Sequence, residues 1–145
     1  TSAIPWPGWW TADHGGDVVA DVRDTLARLV DNALAAGVAR DNVVLDPGLG
    51  FAKSREDNWA LLNHLPEFLA GEFPVLVGAS RKRFLAGVRA DRGLEGVPAD
   101  ADPATAAVTA ISAQMGAWGV RVHNVPVSRD AVDVAALWNA GGDRG

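Results

Sequence analysis

The chain has 145 residues, 48% hydrophobic and 21% charged, with a formal net charge of −5 and no cysteine. That is the composition of a soluble globular domain; its acidic balance argues against a general nucleic-acid or membrane-surface binder, so any basic site must be local. Disulfides and thiolate metal sites are excluded, and without an apolar run of spanning length or a leader-like start the expected compartment is the cytoplasm.

Residues 1–16 read as an irregular Trp/Pro-rich segment, with Trp6, Trp9 and Trp10 among Pro5, Pro7 and Gly8. Exposed tryptophans are costly, so this segment either packs on something or is a chance extension at a broken gene end. A helix is predicted from Asp17 to Ala36, with Val18, Val22, Leu26, Leu29, Val30 and Ala33 as its apolar stripe. Asp17 is its N-cap and Gly37 its C′ residue.

Val43 to Asp46 reads as a buried parallel strand, apolar on both faces, that ends in a carboxylate and then Pro47-Gly48-Leu49-Gly50-Phe51-Ala52-Lys53. Open α/β sheets and α/β barrels hold ligands at such C-terminal strand ends, and the alternative is an ordinary turn. Ser54 caps a helix over 55–70, with Trp59, Leu62, Leu65 and Leu69 inward and a kink at Pro66.

A second strand is predicted over Pro74–Ser80 and a short helix from Arg81 to Val88, with Ser80 as its N-cap. Residues 89–102, rich in Gly, Pro, Asp and Ala, read as a mobile loop, and Asp102-Pro103 as an N-cap followed by proline at N1. A helix of small residues runs to Met115. Gly119 to Val125 is the third strand, carrying Arg121 and His123 two apart and therefore on one face. Ser128 caps a last helix ending near Gly141. The β-α-β-α-β-α order requires parallel strands with right-handed crossovers.

Three motifs in series, Asp46 to Lys53, Gly78-Ala79-Ser80-Arg81-Lys82-Arg83-Phe84 and Arg121-Val122-His123-Asn124-Val125, resemble dihydropteroate synthase in order and spacing. The resemblance runs from about Asp17 to about Trp138 and covers the C-terminal half of that family's barrel. A complete (β/α)₈ barrel typically takes ~250 residues. The expected fold is therefore α/β: a partial (β/α)₈ TIM barrel of about three C-terminal βα units and a preceding helix, with residues 17–145 forming that half and residues 1–16 outside it.

The resemblance implies condensation of 6-hydroxymethyl-7,8-dihydropterin pyrophosphate with p-aminobenzoate to 7,8-dihydropteroate and pyrophosphate. Asp46 would accept hydrogen bonds from the pterin's amino and ring nitrogens, as an acceptor-only group with two oxygens can. Gly78, Lys82 and a stacking Phe51 would complete the pterin contacts; Ser80 and Lys82 would lie at p-aminobenzoate; Arg121 and His123 would hold pyrophosphate. Each has a plainer reading. Asp46 could be a turn aspartate, Phe51 packing, Lys82 a solvated lysine, Ser80 a helix cap and Arg121 half of a buried ion pair. Lys53 would hold the turn, Arg81 and Arg83 pair with nearby acids, and His14 and His64 lie on the surface.

By resemblance Mg²⁺ is the cofactor, with its main ligand outside this chain, and the partners are the two small-molecule substrates, no nucleic acid, no membrane and a second copy in a homodimer. Asn124 departs from the family's aspartate and puts the setting of His123 and Arg121 in question. The chain by itself is expected to lack turnover and to associate through open strand edges. The rival readings are a non-catalytic half-barrel and another pterin-binding enzyme such as a methyltetrahydrofolate-dependent methyltransferase.

Overall fold

The computed structural model describes residues 17–142. The Trp/Pro-rich segment, its boundary at residue 16 and His14 lie outside the described residues.

Helix α1 spans Val18–Ala35. Asp17 Oδ1 accepts the Ala20 N–H at 3.0 Å, which caps the start as predicted. Gly37, with φ +98°, closes the end: its N–H reaches Leu34 O and the Val38 N–H reaches Ala33 O, a Schellman pair. The buried stripe is Val18, Val22, Thr25 and Val30, while Leu29 faces solvent. A short 3₁₀ turn, Arg40–Asn42, leads to the first parallel segment.

That segment is not the buried strand expected. It reduces to one parallel bridge between Leu45 and Val75, and Val44 is exposed. Neither Pro74 nor Pro47 has an N–H to donate, so the ladder between these segments is confined to Leu45 N–H to Pro74 O and Leu76 N–H to Leu45 O, both 2.8 Å.

Ser54 forms a reciprocal capping box with Asp57 and opens α2, Arg55–Asn63. The single kinked helix expected here is two helices. The chain breaks at His64, ahead of Pro66, and α3, Leu65–Leu69, begins with that proline in its first turn, where the missing N–H costs nothing. Strand β1, Leu76–Val77, pairs in parallel with β2, Gly119–Val120, in the register Leu76 to Gly119 and Val77 to Val120. The Leu45 segment lies on the other side of β1, so the three parallel segments lie in sequence order.

Helix α4 spans Arg83–Ala90 with Lys82, not Ser80, in the N-cap position. Part of the loop expected to be mobile is a 3₁₀ turn, Pro98–Ala101, whose Ala101 is buried. It makes Ala101 the N-cap of α5, Asp102–Met115, so Asp102 is a first-turn residue rather than the cap. The buried positions of α5 are Thr105, Thr109 and Ser112, with Ile111 facing out. α5 packs along α6, Val125–Gly142. Ser128 is buried inside α6; the Val127 N–H, near the helix start, is accepted instead by Asn124 Oδ1 at 3.3 Å.

Val18, Val19, Val22, Leu61, Leu65 and Phe68 from the helices meet Val75, Val77 and Ala79 from the central segment in one core, which Phe84 and Leu85 of α4 extend. Trp59 meets Phe84 edge-on, 5.3 Å between centroids. The result is a mostly helical α/β fold with parallel strands. No helix among the described residues is long and apolar enough to cross a membrane.

Candidate functional site

The C-terminal ends of the three parallel segments carry the polar groups. Asp46 follows the Leu45 bridge. Its Oδ1 accepts the Gly48 N–H at 2.9 Å, the local turn bond of an aspartate, and its Oδ2 accepts from Arg121 Nη1 at 3.1 Å. The turn reading of Asp46 and its placement at a strand end are thus both present. Gly48 and Gly50, with φ of +73° and +83°, supply the left-handed backbone of the turn that follows.

Lys53 closes this turn from one side, donating to Gly48 O at 2.8 Å and to Phe51 O at 3.1 Å. Lys82 lies on the other side. Its Nζ donates to Leu49 O, and it stands 4.4 Å from the centroid of the half-exposed Phe51 ring. Burial, then the charge of nearby Lys82, brings the Lys53 pKa down to about 8 against the pull of Asp46, Asp57 and Asp21. Burial and then Arg121 lower Lys82, and Asp46 opposes them. Lys82 is not the solvated lysine of its plainer reading.

β2 ends at Val120, so Arg121 and His123 lie beyond the strand and not on a shared strand face as predicted. Their partners differ. The Arg121 guanidinium crosses over Gly78, where a Cβ would overlap it, to reach Asp46. His123 Nδ1 is 2.7 Å from Ser80 Oγ, and its backbone N–H donates to the same oxygen at 3.1 Å. Ser80 is buried and ties the second segment to the third; it does not cap α4. Arg121 does pair with a carboxylate, the plainer reading of that residue, but the pair is not buried: the side chains are 56% and 34% exposed.

Arg81 is held in the left-handed region, φ +57°, by its surroundings. Its backbone N–H reaches Thr105 Oγ1 at 3.3 Å, and its guanidinium takes Asp102 with two bonds, 2.9 and 3.1 Å. The Arg81 bond, opposed by burial and aided by a 3.4 Å contact from Asn124 Nδ2, holds the Asp102 carboxyl below its ordinary range. Asn124 therefore serves two structural ends, Asp102 and the start of α6. Arg83 is exposed at the rim of an open cleft of about 880 Å³ lined also by Phe51, Arg55, Arg81 and Lys82. Arg55 pairs with Asp91 there. His64 is a surface residue whose Nδ1 is 2.8 Å from Ala60 O.

Two residues that sequence reasoning passed over support this site. Asp102, expected as a helix cap, holds the Arg81 guanidinium instead. Asn58, 3% exposed, accepts the Gly50 N–H at 2.7 Å and donates to Ser54 O at 2.9 Å. A signal existed: Asn58 stands in helical register with the buried Leu61 and Leu65, an apolar stripe with one amide in it. Among the described residues, no group of three or more His, Asp or Glu side chains is arranged to hold a metal ion.

Residues 10–123 match the model of a family described as pterin binding enzymes. The chain is 52% identical over 132 residues to the dihydropteroate synthase of Mycobacterium leprae, an alignment covering 89% of this chain and 46% of that protein. It is similar in structure to the Yersinia pestis dihydropteroate synthase solved with a pterin–sulfa conjugate, with TM-score 0.80, 29% identity, and 89% of this chain and 48% of that one covered. It is similar also to the Xanthomonas albilineans dihydropteroate synthase with 4-aminobenzoic acid, with TM-score 0.78, 38% identity and coverage of 94% and 46%. The chain spans about half the length of the relatives it matches.

Proposed function

The chain belongs to the family of pterin-binding enzymes, and from that premise we propose that its site is the pterin and pyrophosphate side of a dihydropteroate synthase. The three parallel segments are then successive βα units of a (β/α)₈ barrel, with residues 17–145 as its C-terminal half. A second copy would join through the late helices. The substrates are 6-hydroxymethyl-7,8-dihydropterin pyrophosphate and p-aminobenzoate.

The observation that carries this reading is the convergence of Asp46, Lys82, Arg121 and the Ser80–His123 pair at the same ends of three parallel segments. Asp46 would take the amino and ring N–H groups of the pterin side by side, and Lys82 would donate from the opposite side of the turn. Phe51 offers a ring face half open to solvent, and Gly78 provides the clearance across which Arg121 reaches. Arg121 would transfer its guanidinium from Asp46 to the pyrophosphate, whose oxygens suit its planar fork, and His123 would add a donor. Ser80 holds His123 and lies where p-aminobenzoate would approach.

In this reaction the carbon–oxygen bond to pyrophosphate breaks, the arylamine nitrogen bonds the same carbon, and the amine proton is released. No side-chain nucleophile is required; positioning and stabilisation of the leaving charge carry the rate. Among the described residues no group of three or more His, Asp or Glu side chains could hold Mg²⁺ by protein ligands alone.

Fluorescence titration with the dihydropterin pyrophosphate tests the assignment. The parent chain should bind it, Asp46→Ala should abolish binding, and Arg121→Gln should leave the residual affinity insensitive to added pyrophosphate. Equal binding by the parent and Asp46→Ala, or no binding by the parent, overturns it.

A further inference from the structure

We propose that Asn58 is a positioning residue: through Gly50 it fixes the turn that aims the Lys82 amine. The functional weight of this rests on the reading of Lys82 just given. Three consecutive turn residues hold Lys82. Leu49 accepts from its Nζ, the Phe51 ring lies 4.4 Å from it, and the stem of Lys82 runs so close to Gly50 that a Cβ there would overlap Cδ. The middle residue of the three is the one Asn58 holds, at 2.7 Å from the Gly50 N–H. Ala52, with φ +47°, follows at once, so the turn carries left-handed backbone that needs an outside restraint.

The chemistry of Asn58 fits this task better than it fits packing. At 3% exposure, in line with Leu61 and Leu65, the position would suit leucine for burial alone. An amide there costs desolvation unless both ends are used, and both are: Oδ1 takes Gly50 and Nδ2 gives to Ser54 O. It thereby links the capped start of α2 to the ligand turn. An apolar residue would leave the Gly50 N–H without this acceptor.

The whole chain supplies a direct readout because it has two lysines, Lys53 and Lys82. Selective ¹³Cε-lysine labelling gives two signals, assigned with Lys53→Arg, and their titration follows each amine. Amide exchange follows Gly50. In the parent, the Gly50 amide should exchange about tenfold or more slowly than an open turn amide. Asn58→Ala should lose that protection and move the Lys82 titration toward the ordinary lysine range, while the Trp59 indole signal, reporting the contact with Phe84, stays in place. A purely structural role would move the Trp59 signal too. Asn58→Asp keeps the acceptor and should keep Gly50 protected.

An unprotected Gly50 amide in the parent overturns the proposal. So does an Asn58→Asp chain that folds without Gly50 protection, or an Asn58→Ala chain whose Lys82 titrates as in the parent. Lys82→Ala separates the two readings. If it binds the pterin pyrophosphate as tightly as the parent, the ligand role of Lys82 fails while the positioning result stands.

Discussion

Arg121 and Asp46 are 75 residues apart in the chain, and Arg121 Nη1 lies 3.1 Å from Asp46 Oδ2 across the glycine that makes room for it. The pair joins the end of the third parallel segment to the end of the first. Because it is half-exposed, it is a weak restraint, and an incoming anion can compete for the guanidinium.

Arg121→Gln should therefore weaken pyrophosphate binding by about 10-fold or more, the worth of one charge-assisted contact. The parent's affinity should itself be modest and fall as salt rises. Titration calorimetry on both proteins at two salt concentrations checks this. Equal affinities would remove Arg121 from the anion site.

The pH dependence of stability should be unusually simple in the alkaline range. The chain has no tyrosine and no cysteine, so between pH 8 and 10.5 its titrating side chains are Lys53 and Lys82. Both have folded pKa values below the ordinary one, Lys53 at about 8 against 10.5. The folded state then binds fewer protons than the unfolded state, so stability rises with pH across that window. Urea midpoints at pH 8 and 10.5 should increase, and Lys53→Met should flatten most of the rise. A parent midpoint that falls over this range would contradict the burial of these amines.

Asn124→Asp would place a carboxylate beside Asp102, whose Oδ2 lies 3.4 Å from the present amide nitrogen. It should keep the α6 cap and bring two like charges together. The Asp102 carboxyl, now held low by Arg81 first, should titrate higher. A depressed aspartate contributes stability above its unfolded pKa and loses it as pH falls through the folded one. The variant should lose part of that contribution, so its acid unfolding midpoint moves up. Carboxyl-carbon NMR of Asp102 in both proteins is the direct check; an unmoved titration would mean that Arg81 absorbs the added charge.

Leu61→Ala, at a core side chain of α2 that is 2% exposed, should destabilise by about 2–5 kcal/mol. Chemical denaturation measures it, and a loss under 1 kcal/mol would mean the core collapses around the gap.

Exposed apolar side chains on and beside the last two helices, Ile111, Met115, Trp118, Leu137 and Trp138, favour self-association. Sedimentation velocity over a wide concentration range should detect dimers or larger species, and Trp138→Lys with Leu137→Glu should reduce them. A parent chain that stays monomeric throughout would set this face aside.

The sequence by itself determined the local structure and the list of chemical groups. Asp17, Gly37 and Ser54 act within three or four residues of themselves, so their capping roles follow from residue type and spacing. The alternation of strand and helix signals likewise carried the parallel order of the three segments, whereas Arg121 and His123, expected on one strand face, lie beyond the end of β2. Partnerships across 40 or more residues were decided only by the tertiary structure. Ser80 had a credible local role as a cap and was drawn instead to His123, because the chain leaves β2 at Val120 and brings that histidine's N–H and ring onto the Ser80 hydroxyl. At shorter range, the Pro98–Ala101 turn makes Ala101 the N-cap of α5 and leaves Asp102 to the Arg81 guanidinium, and Asn124 rather than Ser128 accepts an N–H at the start of α6. The first segment shrank to a single bridge for a related reason: an apolar run can signal burial, but its ladder depends on which N–H groups the paired segments can offer, and Pro47 and Pro74 offer none. Asn58 was concealed by the regularity of its helix. Its importance lies in the one backbone N–H it meets eight residues away, a contact that exists only after the turn has folded back over α2.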